Sequence, residues 1–336
     1  MTRRRCGRGF QYFDESGKRI SSASELERIR ALAIPPAWED VWICPHENGH
    51  LQATGIDSAG RKQYLYHPRW RERRDQQKFD EMIDFARSLP RLRKRVTSDL
   101  RKQTMVRDRV LACAVRLLDC GFFRVGSESY AEENESYGLA TMQKEHVQID
   151  GKTIVFDYIA KGGQQRIQEI VDADARRIVS ELKARRSGGP ELLAYKDGRR
   201  WADVSSADIN DYLKLASGGD FSAKDFRTWS ATMIAAVALA DTAQNGGGSK
   251  AGRKRAINEA IKGVAFYLGN TPSVARSSYI DPRVFDRYLS GWTIDRGLAD
   301  KPRNSDRGHP SKRRSVEKAV LDLITESDSR AVKPVH

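Results

Sequence analysis

The chain has 336 residues, 39% of them hydrophobic and 31% charged, which leaves room for one or two packed domains and excludes wholesale disorder. Its 59 Lys+Arg against 45 Asp+Glu give a formal net charge of +14, which points to a polyanionic partner, most often nucleic acid. No apolar run approaches the ~20 residues that span a bilayer, and the basic start, Met1-Thr-Arg-Arg-Arg-Cys-Gly-Arg, has no apolar segment behind it, so neither a membrane partner nor a signal peptide is expected.

In chain order, Ser22-Ala-Ser-Glu25 reads as a capping box opening a helix to about Leu32, which Ile34-Pro-Pro-Ala-Trp38 stops. A β-rich stretch follows: Val41 to His46, a turn at Asn48-Gly49, then His50 to Thr54, the strongest short-range hairpin signal in the chain. Cys44, His46 and His50 fall here, but no carboxylate or further cysteine stands at ligand spacing, so no metal is expected. Cys6, Cys44, Cys113 and Cys120 contain no Cys-x-x-Cys pair, which suits a reducing cytoplasm. A third strand, Arg61 to Tyr66, sets Lys62, Tyr64 and Tyr66 on one face and Arg61, Gln63 and Leu65 on the other. Residues 61 to 109 hold 16 Lys+Arg and 7 Asp+Glu, the densest basic stretch of the chain.

A helix over 75–89 should end at Pro90, where Pro90-Arg-Leu-Arg-Lys-Arg95 reads as a solvated connector. That places the domain boundary: 1–90 as a β-rich domain, 91–336 as a larger one with a basic tail from about residue 300. Helical patterning then dominates. A buried-type helix over 106–120 ends at Gly121, read as a left-handed cap. Residues 145–149 and 152–159 form a hairpin about Asp150-Gly151, and Lys161-Gly162-Gly163 makes a second turn, so Lys161 stands at the tip of a three-strand meander. Helices are predicted over 173–186, 206–217, 223–241, 250–268, 272–278 and 282–289, with a last one over 315–325. Gly246-Gly-Gly-Ser-Lys250 lacks the spacing of a phosphate-binding loop, so no nucleotide partner is expected. The fold class is α+β, a small β-rich N-terminal domain followed by a mostly helical one.

The chemistry-bearing residues each stand beside structural punctuation: Arg124 between Gly121 and Gly126, Lys161 on a turn, Lys224-Asp-Phe-Arg227 opening an apolar helix, Asn270 and Tyr279 astride a short helix. Taken singly, each has an ordinary reading as a solvated or half-buried side chain. Taken in order, five stretches resemble the poxvirus-like, bacterial type IB DNA topoisomerases from about Ile34 to Pro282. They are Ala53-Thr-Gly-Ile-Asp-Ser-Ala-Gly-Arg-Lys-Gln-Tyr-Leu-Tyr66, Phe123-Arg-Val-Gly-Ser-Glu-Ser-Tyr130 running on to Thr141, Phe156-Asp-Tyr-Ile-Ala-Lys161-Gly, Lys224-Asp-Phe-Arg-Thr-Trp229, and Leu268-Gly-Asn-Thr-Pro-Ser-Val-Ala-Arg-Ser-Ser-Tyr279.

The resemblance implies a C-shaped clamp on duplex DNA with Tyr279 as nucleophile, Arg124 and Arg227 as phosphate clamps, and Lys161 as general acid. It implies further DNA contacts from Gln63, Tyr64, Tyr66, Tyr130 and Lys224. Asn270 stands where the family usually has histidine; its amide still donates a hydrogen bond but carries no charge. The implied reaction exchanges one phosphate ester for another, so it needs no ATP, metal or other cofactor. The implied protein is a monomer in the cytoplasm, associated with the nucleoid. A tyrosine recombinase is the nearest rival, disfavoured because Lys224-x-x-Arg227 stands where recombinases carry His-x-x-Arg, and because the first domain reads as β-rich. A DNA-binding module with a decayed site is disfavoured by the intact Arg124, Lys161, Arg227 and Tyr279.

Overall fold

The computed structural model describes residues 1–127, 131, 135–243, 249–299, 310–327 and 329–335, and the chain divides into two compact units, Met1–Asp80 and Glu81–His336. Tyr130 and residues 300–309 of the basic tail lie outside the described residues.

The first unit is an antiparallel sheet in the order β2-β1-β3-β4-β5, built from β1 (Thr2–Cys6), β2 (Gly9–Phe13), β3 (Glu39–Ile43), β4 (Leu51–Ile56) and β5 (Lys62–Tyr66). Helix α1 (Ala23–Ala31) contributes Ile29 to a core with Met1, Val41, Ile43 and Ala53, flanked by Trp38 and Leu65. The β1–β2 hairpin has no counterpart in the sequence reading, because three of the five residues of Thr2–Cys6 are arginine. Its Arg3 is satisfied by backbone, donating to the carbonyls of Ile34, Pro35 and Trp38 at 3.4, 3.1 and 2.5 Å. The expected capping box of α1 does not form: Ser22 makes no side-chain cap bond, and Glu25 instead pairs with Arg28 at 2.7 Å.

Helix α2 (Pro68–Leu100) runs through Pro90 rather than stopping there, so the solvated connector is not present. Leu89, Leu92, Val96 and Leu100 recur at helical spacing and are all buried, and Phe85 packs edge-on against Phe221 and Phe226. A proline inside a helix costs about 3 kcal/mol, whereas each buried side chain of this size returns about 1.5–3 kcal/mol. Burial of the stripe wins.

The second unit continues with α3 (Arg107–Cys120), a three-strand antiparallel meander of β6 (Val147–Asp150), β7 (Thr153–Ala160) and β8 (Gln164–Ile170), and α4 (Ala173–Lys183). A β9 (Ala194–Asp197) and β10 (Arg200–Asp203) hairpin leads to α5 (Ser206–Ser217), α6 (Ala223–Ala243), α7 (Lys250–Leu268), α8 (Pro272–Ser278) and α9 (Pro282–Leu289). The chain closes with β11 (Trp292–Ile294), α10 (Arg296–Ala299), α11 (Pro310–Ile324) and β12 (Val332–Pro334), the last pairing back onto β11. Helix α11 starts five residues earlier than its pattern predicts. It is held by a ring of ion pairs in which Arg93 and Arg313 each bridge Asp119 and Glu317 at 2.6–3.1 Å. Gly121 is not the left-handed cap expected of it: its φ of −114° is extended backbone. A Cβ there would meet the Phe123 ring at 2.7 Å, so close packing, not handedness, demands glycine.

Candidate active site

The site is built on the C-terminal end of α7. A helix leaves its last carbonyls without intrahelical donors, and here they are served in sequence. Gly269 turns left-handed at φ +60°; its N–H returns to the Phe266 carbonyl at 3.2 Å and that of Asn270 to Ala265 at 3.0 Å, a Schellman closure. Arg166 donates to the carbonyls of Phe266 and Tyr267 at 2.9 and 2.5 Å. Arg227 donates to that of Leu268 at 2.9 Å, and Arg124 to that of Gly269 at 2.9 Å. The negative end of the helix thus gathers three guanidiniums. Among the described residues their acceptors are carbonyl and amide oxygens rather than carboxylates, so none of these partners neutralises their positive charge.

Arg124 lies in the loop after α3 and also donates to Asn270 Oδ1 at 2.7 Å. The loop is pinned by a backbone contact between two glycines. A Cβ on Gly138 would fall 2.4 Å from the Gly126 nitrogen, and the Leu139 and Ala140 N–H groups bond the carbonyls of Arg124 and Val125 at 2.9 and 2.7 Å. Arg227, one turn into α6, is buried and reaches in two directions, to Leu268 and to the Phe122 carbonyl. Its Nε, like Asn270 Nδ2, is a buried donor without a partner among the described residues.

Tyr279 follows directly on α8, whose start is set by Thr271, which accepts from the Val274 N–H, and by Pro272 at the first turn. The Arg227 guanidinium carbon lies 5.3 Å from the centre of the Tyr279 ring. Burial pushes the Tyr279 phenol up, but the charge and hydrogen bonding of Arg227, with the charges of Arg124 and Lys224, outweigh it and leave the phenol below the ordinary tyrosine range. Arg227 is itself drawn down to about 10, first by burial and then by repulsion from Arg124, and stays charged at neutral pH. Lys224, three residues before Arg227 on α6, is exposed.

The structure therefore brings Arg124, Arg227, Asn270, Tyr279 and Lys224 together. Lys161 stands exposed at the β7–β8 turn, as the spacing predicts. Three residues of this neighbourhood were missed from sequence. Tyr158 is buried on β7 opposite Arg166, its phenol pushed up by burial against the pull of Arg166, Arg227 and Arg124. Thr232 on α6 is fully buried, donates to the Thr228 carbonyl at 3.0 Å and accepts the Asp281 N–H at 3.1 Å, tying the segment after Tyr279 to the helix that carries Arg227. Arg166 is the third; the signal available for it is an inverted strand, with Arg166 and Gln168 turned inward while Ile167 is 63% exposed.

In the first unit, β5 presents Tyr64, half exposed, stacked against Tyr66, which stacks in turn on Trp70 at 4.3 Å. Gln63 is not part of that aromatic face: its amide donates to Asp57 at 2.8 Å. Asp57 is drawn down to about 2, chiefly by the Arg61 N–H and side chain. Among the described residues no group of three or more His, Cys, Asp or Glu is arranged to hold a metal ion, and no helix is long and apolar enough to cross a membrane.

Comparison with known proteins identifies the family. The catalytic core of eukaryotic DNA topoisomerase I matches residues 67–291, and the N-terminal domain of bacterial DNA topoisomerase IB matches residues 9–57. DNA topoisomerase 1B of Acanthamoeba polyphaga mimivirus is 31% identical over 287 residues, covering 83% of this chain and 84% of its own. DNA topoisomerase 1B of vaccinia virus (strain Copenhagen) is 22% identical over 242 residues, 69% of this chain and 71% of its own. On the extent of these matches, and with the tyrosine set among arginines where its motifs put it, the chain is an enzyme of the type IB DNA topoisomerase family.

Proposed function

We propose that this enzyme relaxes supercoiled duplex DNA by cutting and resealing one strand, without ATP or metal, through a covalent bond to Tyr279. The observation that carries the reading is a phenol drawn down by a cluster of guanidiniums that no carboxylate among the described residues neutralises. An ordinary tyrosine is only about one part in a thousand phenolate at pH 7, so the cationic surroundings supply nucleophile directly. They also answer the charge that builds on the nonbridging oxygens in the transition state.

In the proposed step the Tyr279 oxygen attacks phosphorus and the bond to the 5′-oxygen breaks, leaving a 3′-phosphotyrosyl bond and a free 5′-hydroxyl. Arg124 and Arg227 clamp the nonbridging oxygens; arginine suits this because its planar fork pairs with phosphate. Two of the five N–H donors of Arg227 serve backbone carbonyls, which leaves donors for the phenol and the phosphate. The Asn270 amide is a further donor to the phosphate. The 5′-alkoxide leaves strongly basic and takes a proton from Lys161, a contribution typically worth about 10²–10⁴-fold. Between cutting and resealing the free end swivels, and the 5′-hydroxyl then displaces Tyr279. Because one ester replaces another, no outside energy is needed.

Lys224 and the aromatic face of Tyr64 and Tyr66 serve DNA binding in this reading, and Gln63 joins them once released from Asp57. Tyr130 is proposed as a phosphate contact on its motif alone. The C-shaped clamp, a monomeric state and a nucleoid-associated cytoplasmic location belong to the same proposal. The test is relaxation of supercoiled plasmid with chelator present and no ATP. Unsubstituted enzyme should relax it and leave a DNA–protein adduct on a denaturing gel, while Tyr279→Phe should do neither. Relaxation that survives Tyr279→Phe would overturn the reading.

A further inference from the structure

We propose that Arg166 is a positioning residue for strand cleavage, fixing the Lys161 hairpin against the last turn of α7. The inference rests on the reading of Lys161 as general acid and extends it to a residue that touches no reacting atom.

Four observations support it. Arg166 lies on β8, five residues beyond Lys161, and its two terminal nitrogens bond the successive carbonyls of Phe266 and Tyr267 at 2.9 and 2.5 Å. Those carbonyls immediately precede Leu268 and Gly269, which hold Arg227 and Arg124, so Arg166 indexes the hairpin to the same helix end that holds the phosphate clamps. Room for the guanidinium is built in: a Cβ on Gly269 would lie 3.3 Å from Arg166 Nη1. Finally, the arrangement is a poor choice for stability alone. Arg166 is half-buried on neutral acceptors, where burial and the charge of Arg124 disfavour its cation, while its neighbour Ile167 faces solvent. An inward position chosen for burial alone would be apolar, whereas this one holds a cation on two helix-end carbonyls.

The hairpin tip carries Lys161 on a turn closed by the pairing of Ala160 with Gln164 and by the Gly163 N–H on the Ala160 carbonyl at 3.1 Å, so its distance from Tyr279 follows from where the hairpin as a whole sits against the end of α7. A displacement of ~1 Å at a catalytic group can cost about 10²-fold. The fork of Arg166 sets that distance.

The experiment uses two substrates, a duplex with the natural bridging 5′-oxygen and one with sulfur in its place. A thiolate leaving group, with a conjugate acid near pKa ~8.5, departs without the proton that an alkoxide requires. In single-turnover cleavage, Arg166→Ala should be slower on the oxygen substrate by about 10- to 100-fold, with DNA affinity unchanged, and should recover to within about threefold of unsubstituted enzyme on the sulfur substrate. Arg166→Lys, which keeps the charge but not the fork, should lie between. Thermal denaturation identifies a variant that fails to fold, and Arg166→Gln then takes the place of Arg166→Ala. A defect of equal size on both substrates, or no defect on oxygen, overturns the inference. Lys161→Ala is the control: if sulfur relieves it but not Arg166→Ala, this inference alone fails. If sulfur does not relieve Lys161→Ala, the general-acid reading fails and takes the inference with it.

Discussion

Asn270→Asp is close to isosteric and reverses the electrostatics of the site. Asn270 Oδ1 accepts from Arg124 Nη2 at 2.7 Å, while Nδ2 is a buried donor without a partner among the described residues. A carboxylate keeps the bond to Arg124 but replaces the donor with a second negative oxygen. Opposed to a phosphate charge about 4 Å away at an effective dielectric constant of about 20, it costs about 4 kcal/mol, or roughly 10³-fold in rate. Asn270→Ala removes hydrogen bonds to charged groups, the Arg124 guanidinium and the phosphate, at about 1.5–3 kcal/mol or roughly 10- to 100-fold, without introducing a charge. The expected order is therefore unsubstituted enzyme, then Asn270→Ala slower by about 10- to 100-fold, then Asn270→Asp slower by a further tenfold or more. Single-turnover adduct formation on an end-labelled duplex measures it, with affinity determined separately. Because the introduced carboxyl faces Arg124, it titrates below the ordinary ~3.9, and lowering the pH to about 5 should not restore the rate. If Asn270→Asp is no slower than Asn270→Ala, the amide does not face the phosphate and the argument is wrong.

Three further outcomes are expected. Titration of tyrosine absorbance, unsubstituted enzyme minus Tyr279→Phe, should place the Tyr279 midpoint below the ordinary ~10, with phenolate gained as pH rises, and Arg227→Ala should move that midpoint upward; a midpoint at or above ~10 contradicts the site electrostatics. Gly138→Ala forces a Cβ to within 2.4 Å of backbone nitrogen and should lower stability by about 1–3 kcal/mol and impair cleavage by displacing Arg124, so unchanged melting and cleavage would refute the contact. Asp119 sits at about 2: burial would raise it, but Arg313 and Arg93 more than offset that. With the folded value below the unfolded one, the ring favours the folded state fully above about pH 4 and loses about 2 kcal/mol as pH falls toward 2. The urea-midpoint gap to Asp119→Asn should narrow over that window, and a pH-independent gap would count against the ring.

The helices and the meander were legible because their signals are local: apolar spacing, Thr271-Pro272 at a helix start, Asp150-Gly151 in a turn. The motif residues could be placed for the same reason, each lying beside a cap or turn. What escaped is non-local. Pro90 reads as a stop until the partners of Leu89, Leu92 and Val96 are known, because burial against distant helices outweighs one lost backbone bond. The β1 strand hides behind its charge, since the acceptors that make Arg3 tolerable lie more than thirty residues away. Gly121 is glycine for a ring two residues on, not for its φ. Arg166 and Thr232 act through backbone carbonyls and amides that no spacing rule connects to them.

The bond between Thr232 and the Asp281 N–H has a mechanical consequence. In the proposed covalent intermediate the broken strand hangs from the Tyr279 oxygen, and every turn of the rotating duplex pulls on that tether. Two residues past the tyrosine the pull enters α6, a 21-residue helix packed through the core of the unit, and it enters one turn beyond Arg227. The post that takes the load also carries the clamp. In that proposed intermediate, torsion would act on nucleophile and clamp through the same helix.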